Sequence, residues 1–177
     1  MAVSKINRLL TVGHSTHTIE QFIDLLNAHK IEQVIDIRTI PKSRFNPQFN
    51  QDALAKSLKG AKIGYKHMKN LGGLRHAKAD SQNLGWDNLS FRGFADYMQT
   101  GEFIEAIEQL KRIAVKKNTA IMCAEAVPWR CHRSLVADIL TKQKWKVFHI
   151  MSKNTASLHK LTAFLRVRNG IIIYPKL

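Results

Sequence analysis

A single α/β domain, with a mostly parallel central sheet flanked by helices on both faces, is the fold this sequence predicts. Three observations carry the prediction. Short apolar runs rich in β-branched residues alternate with longer segments whose apolar residues recur at helical spacing. Three of those runs, at residues 9–12, 33–38 and 119–123, end in polar or reactive side chains. That placement suits strands whose following loops gather at the carboxyl edge of an open sheet, where ligands bind. The chain has 177 residues, the size of one domain with a substantial core.

The elements follow in order. Residues 9–12 read as a strand, turned at Gly13, His14 and Ser15. Thr18 is placed to cap the next helix, with Glu20 and Gln21 in its first turn. Ile19, Phe22, Ile23, Leu25 and Leu26 give that helix its apolar face, up to about His29. Residues 33–38 are a second strand whose β-branched residues suit a buried sheet. Residues 39–50 hold Pro41 and Pro47 and read as loop, and residues 52–58 as a short helix stopped at Gly60. Residues 63–68 supply a third strand.

Residues 71–89 are rich in Gly, Asn, Asp and Lys and predict a long loop, of a length usually functional or mobile. Residues 91–98 are expected to be helical. Residues 102–115 are the clearest helix, with Phe103, Ile104, Ile107, Leu110, Ile113 and Ala114 along one face. A strand at 119–123, a helix at 131–143 and a strand at 146–151 follow. Residues 155–168 are expected to form a helix and residues 171–174 an edge strand before Pro175. The domain is thus expected to span residues 1–177, with its core at about 8–151 and a C-terminal helix and strand beyond it.

Composition narrows the classes of function. The hydrophobic fraction of 45% and charged fraction of 23% are those of a soluble globular protein. No apolar run approaches the roughly 20 residues that span a bilayer, and the first residues lack the apolar stretch of a signal peptide. A cytoplasmic protein without a membrane partner is expected. Two cysteines are no disulfide framework, so reduced thiols are expected. Lys and Arg number 28 against 13 Asp and Glu, a net charge of +15. Such an excess attracts polyanions, and predicts nucleic acid or a phosphorylated ligand as partner. A merely solvated basic surface is the plainer alternative.

Chemistry concentrates between Cys123 and Arg133, a stretch holding both cysteines together with Glu125, Arg130 and His132. Burying that mixture in a core would be costly, whereas a site uses it. The thiolate is the nucleophilic form of cysteine, and nearby cations or a helix start lower its pKa. Either thiol qualifies, with the other as resolving partner or structural residue; Cys123 is equally readable as a small buried hydrophobe. The same groups, with His14, also offer up to four zinc-type ligands, although the spacing matches no usual finger or ribbon. Arg130 to Arg133, at a helix start, suit a phosphate without any catalytic thiol.

Other candidates lie at the remaining strand ends. His14 is an acid or base candidate, because imidazole titrates near neutrality. Asp36 and Arg38 orient reacting groups or pair with each other, and Ser15 stands beside His14. Residues 42–49 interleave Lys42 and Arg44 with Phe45 and Phe49, a pattern suited to single-stranded nucleic acid or a flipped base. The plainer reading is a surface loop anchored by its aromatics. His149 and His159 have no supporting neighbour in sequence.

Taken together, Thr11 to Ser15, Asp36 to Arg38 with Pro41 to Arg44 and Asn46 to Phe49, Leu71 to Gly73, Ala95 to Met98, and Cys123-Ala124-Glu125 with Cys131-His132-Arg133 resemble the DUF488 family in order along most of the chain. The resemblance implies a compact α/β domain with a polar site built from these motifs, and no reaction. Val127 stands where the family pattern has an acid. The expectation is therefore an enzyme of unknown reaction on nucleic acid or a phosphorylated nucleotide-like substrate. Cys123 or Cys131 is the reactive thiol, His14 or His132 the acid or base, Glu125 and Asp36 the carboxylate partners. Ser15, Arg38, Arg44, Arg130 and Arg133 bind substrate phosphate. No metal or cofactor is assigned. The alternatives are a non-catalytic basic nucleic-acid-binding module and a zinc-stabilised structural domain.

Overall fold

The structure, a computed structural model, describes residues 7–177. Its centre is a six-stranded sheet in the order β3-β2-β4-β1-β5-β6. The strands are β1 (Arg8–Gly13), β2 (Gln33–Asp36), β3 (Gly64–His67), β4 (Thr119–Cys123), β5 (Lys146–Ser152) and β6 (Thr155–Leu158). The first five are parallel, and β6 runs antiparallel to β5. Burial on both faces explains why β1 and β4 are largely apolar and why β2 carries Val34 and Ile35 between Gln33 and Asp36.

Alternation along the strands divides the core in two. Leu10, Val12, Val34, Ala120, Met122 and Ile150 point to one side, where α1 (Ile19–Ala28) and α2 (Gln51–Gly60) pack. Leu9, Ile35, Ile37, Ile121, Cys123 and Val147 point to the other, under α3 (Leu89–Tyr97), α4 (Gly101–Ala114) and α5 (Arg133–Lys142). Thr18 caps α1 through a full capping box with Gln21, and Thr100 caps α4 by accepting from Phe103 N–H.

Adjacent strands β1 and β4 send their helices to opposite faces, α1 from β1 and α5 from β4. The crevice beyond their carboxyl ends is therefore a topological switch point. Backbone bonds carry the pairing beyond the strands, His14 N–H to Cys123 O at 2.9 Å and Ser15 N–H to Ala124 O at 2.9 Å. Gly13 is required here, because a Cβ would overlap the Glu125 carbonyl oxygen. Among the described residues no helix is long and apolar enough to cross a membrane.

Two expectations fail at the C-terminal end. Residues 155–168 form no helix. They supply β6, a connecting segment and β7 (Arg166–Arg168). The helical spacing of their apolar residues loses to two long-range demands: β6 completes the sheet beside β5, and His159 and Thr162 turn inward to bond Asp138 of α5. Residues 171–174 do not edge the main sheet either, since β8 (Ile171–Ile173) pairs with β7 in a separate hairpin. The 71–89 loop is pinned rather than loose. Buried Asp96 of α3 accepts from Lys78 N–H, the Ser81 hydroxyl and the Asn83 amide.

Candidate functional site

The loop after β4 folds back over its own strand end, and the first turn of α5 closes it. Arg133 sits at the middle of this arrangement, 1% exposed. Its Nη1 donates to Cys123 Sγ at 2.7 Å and to the Glu125 carbonyl at 2.6 Å, and its Nη2 to the Ala126 carbonyl at 3.0 Å. One side chain thus shapes the loop and lays a fixed positive charge on the thiol. Nε has no partner among the described residues.

Two opposed influences act on Cys123. Burial pushes its thiol up. The hydrogen bond from Cys131 and the charge and hydrogen bond of Arg133 more than offset that, drawing it down to about 7. Cys131 moves the other way, well above the usual thiol range, through burial and through the hydrogen bond and charge of Cys123. Lowering Cys123 and raising Cys131 favours the thiolate on Cys123, with Cys131 as the thiol that donates to it.

Burial keeps His132 and His14 neutral at pH 7. Burial lowers His132 to about 4. Its Nε2–H donates to the Ile37 carbonyl at 3.2 Å, which leaves the Nδ1 lone pair facing Cys131 Sγ at 3.6 Å. Burial likewise lowers His14 to about 4. Its Nδ1–H donates to the Ser15 carbonyl at 2.9 Å, Arg38 Nη1 stands 3.4 Å from its Nε2, and its ring stacks on Phe49 with centroids 4.2 Å apart. His14 therefore helps seat Arg38 from the far side.

Asp36 is fully buried and is held in a fork by Arg38, Nε to Oδ1 at 2.9 Å and Nη2 to Oδ2 at 2.7 Å; the Tyr65 hydroxyl donates to Oδ2 at 2.7 Å. Arg38 Nη2 also reaches the Phe49 carbonyl at 2.8 Å. These bonds turn the Arg38 guanidinium back onto Asp36, at the edge of a cleft of about 450 Å³ whose floor is Cys123, Cys131 and His132. Lys42, Glu125 and Arg130 also line it, and Gly73 and Leu74 of the pinned loop form its far wall.

Six of the expected site residues share this cleft: Cys123, Glu125, Cys131, His132, Arg38 and Arg130. His14 and Asp36 lie behind it and position Arg38. Arg133 was expected to hold phosphate, but its donors are occupied by Cys123 and two loop carbonyls, so it serves the thiol. Ser15 and Arg44 do not line the cleft. Ser15 adopts a φ of 46° in the turn after β1, and Arg44 lies over the ring of Phe45 at 5.8 Å. The aromatic loop divides in two: Phe49 is 0% exposed and belongs to the core, whereas Phe45 is 86% exposed. At the start of α5 the backbone N–H groups of Arg133 and Ser134 turn onto Cys131, to its sulfur and carbonyl. Side chains, rather than the helix end, supply the cations of the cleft.

Sequence reasoning missed one network. Thr11 Oγ1–H bonds His149 Nδ1 at 2.7 Å, His149 Nε2 pairs with His159 Nδ1 at 2.9 Å, and His159 Nε2 bonds Asp138 at 2.8 Å. Tyr174 O–H adds a bond to Asp138 at 2.9 Å. Its one sequence signal is an aspartate in the apolar face of α5. Among the described residues no group of three His, Cys, Asp or Glu side chains is placed to hold a metal.

Fold and site together define an α/β domain with a buried cysteine–arginine pair at the switch point of a parallel sheet. The chain belongs to the DUF488 family: the family model, a domain of unknown function, matches residues 18–140 and so takes in the whole floor of the cleft. No curated protein and no solved structure matches the chain.

Proposed function

We propose that this protein is a thiol-dependent enzyme with Cys123 as its nucleophile, acting on nucleic acid or a phosphorylated, nucleotide-like substrate. The observation that carries the reading is the 2.7 Å bond from buried Arg133 to Cys123 Sγ, at the floor of a cleft that Arg38, Lys42 and Arg130 also line. A charge fixed beside the sulfur favours the reactive thiolate at neutral pH. Lys42 and Arg130 suit phosphate, whereas Arg38 spends its fork on Asp36 and the Phe49 carbonyl and shapes the cleft wall. Cys131 stabilises the thiolate by donating its S–H, and His132 Nδ1 stands 3.6 Å from Cys131 Sγ. Glu125 supplies a carboxylate at the cleft wall.

A non-catalytic basic binding module is the second reading, favoured by the low exposure of the thiols, 3% for Cys123 and 4% for Cys131. Alkylation of the thiols in the presence and absence of an oligonucleotide or inorganic phosphate separates the two. The enzyme reading predicts that Cys123 is modified first at pH 7 and that the anion slows its modification. It also predicts that the Cys123→Ala, Cys131→Ala double variant still binds the anion. Anion binding that leaves a reactive Cys123 unprotected counts against a shared site. Salt-sensitive binding with two unreactive thiols leaves only the module.

A further inference from the structure

A second recess adjoins the thiol cleft. The 3-10 turn Pro128–Arg130 forms the ridge between them, held by Arg130 N–H to Val127 O at 3.3 Å and Cys131 N–H to Pro128 O at 3.0 Å. Arg130 faces the thiol cleft, and Trp129, the next residue back, faces a recess of about 480 Å³. Trp129 is 65% exposed, and Met151 and Leu158 beside it are exposed as well. A large indole held outward on a short rigid turn, among other bared apolar groups, marks a binding surface.

The back wall of the recess is His149 and His159. Their four ring nitrogens are all taken, by Thr11, by each other and by Asp138. Burial holds His149 down at about 3, so its ring is neutral. These histidines therefore offer ring surface rather than a free base or a metal ligand. The recess suits a flat, uncharged ring with π-faces, and the anionic part of the same ligand is matched across the ridge by Arg130.

We propose that the recess is a nucleobase subsite, so that the substrate of the thiol cleft is a base-bearing phosphate whose ring lies against Trp129 while its phosphate meets Arg130. The proposal rests on the reading of the neighbouring cleft as an anion-binding thiol site. Base-on-indole stacking tolerates any base, and it is the recurrent device by which basic proteins hold nucleotides and single strands. The net charge of +15 draws both sources to the surface.

The test titrates adenosine monophosphate, ribose phosphate, adenosine, phenyl phosphate and a short oligothymidylate into the full protein and into Trp129→Leu, by calorimetry and by tryptophan fluorescence. Adenosine monophosphate is expected to bind about tenfold tighter than ribose phosphate and to quench fluorescence. The Trp129→Leu variant is expected to lose both the advantage and the quench while binding ribose phosphate as before. An oligothymidylate binding tighter than the mononucleotide assigns the site to a strand, and equal affinities assign it to free nucleotides. Ribose phosphate binding as well as the nucleotide, with no effect of Trp129→Leu, overturns the base subsite and leaves the anion site standing. Phenyl phosphate matching the nucleotide overturns the assignment to a base. Quenching by adenosine with no binding of any phosphate keeps the ring subsite and removes the anion reading beneath it.

Discussion

Arg133 Nη1 lies 2.7 Å from Cys123 Sγ and 2.6 Å from the Glu125 carbonyl oxygen, so one guanidinium nitrogen joins the end of β4 to the loop that leaves it. Loop shape and thiol ionisation are consequently one property. Replacing Arg133 by Met keeps much of the apolar stem and removes both. The thiol then rises from about 7 toward its ordinary 9.0, which cuts the thiolate at pH 7 from about half toward about one part in a hundred. Higher intrinsic nucleophilicity returns part of that loss. Alkylation of Cys123 at pH 7 should slow by at least about tenfold, and stability should fall by about 2–3 kcal/mol as two carbonyls lose a charged donor. Unchanged Cys123 reactivity in a folded Arg133→Met protein would show that the guanidinium is only a loop tie.

Asp36 and Arg38 make a buried fork, so removing the charge of one strands the other. Asp36→Asn should destabilise by about 3–5 kcal/mol, and Tyr65→Phe, which removes one donor to the same carboxylate, by about 1–2 kcal/mol. Urea unfolding checks both. A stable Asp36→Asn protein with lost activity would make Asp36 a catalytic carboxylate instead of a positioning one.

Burial holds His14 and His132 at about 4 and His149 at about 3, below the ordinary 6.5. The unfolded chain therefore binds more protons than the folded one between pH 6.5 and 3–4, and stability rises with pH across that window. The stabilisation is complete above pH 6.5 and is lost as pH falls toward 4. For His14 the fall from 6.5 to about 4 corresponds to about 3 kcal/mol. Urea midpoints at pH 7.5, 6 and 5 should fall in that order, and a flat profile to pH 5 would contradict the neutral assignment.

Gly13 lets β1 pass beneath the loop. In Gly13→Ala the new methyl meets the Glu125 backbone, which has no side-chain freedom with which to yield. That variant should melt lower and react more slowly at Cys123, because the same backbone carbonyl holds Arg133. Gly60→Ala, at the end of α2 with nothing within 4 Å, is the control: its melting temperature should stay level or rise slightly.

Much of this was legible in the residues. Strand runs bounded by turns placed β1, β2, β4 and β5, and the clustering of both cysteines with Arg130, His132 and Arg133 marked the floor of the cleft. Local spacing does not reveal which groups face each other. Arg133 and Arg130 look alike in sequence, but only the turn of α5 buries the first under Cys123 and leaves the second in the cleft. The His149–His159–Asp138 network joins strand, connecting segment and helix, so no run of residues announces it. Residues 155–168 were misread because their apolar spacing is helical while their real partners, β5 and Asp138, lie elsewhere.

The chemistry of the cleft depends on the ionisation of Cys123. Alkylation rates of the two cysteines, measured separately by mass spectrometry from pH 5 to 10, test it most directly. A Cys123 rate that rises with a midpoint near 7, with Cys131 unreactive until far more alkaline pH, is the predicted result. Two thiols titrating together at or above the ordinary 9.0 would contradict it.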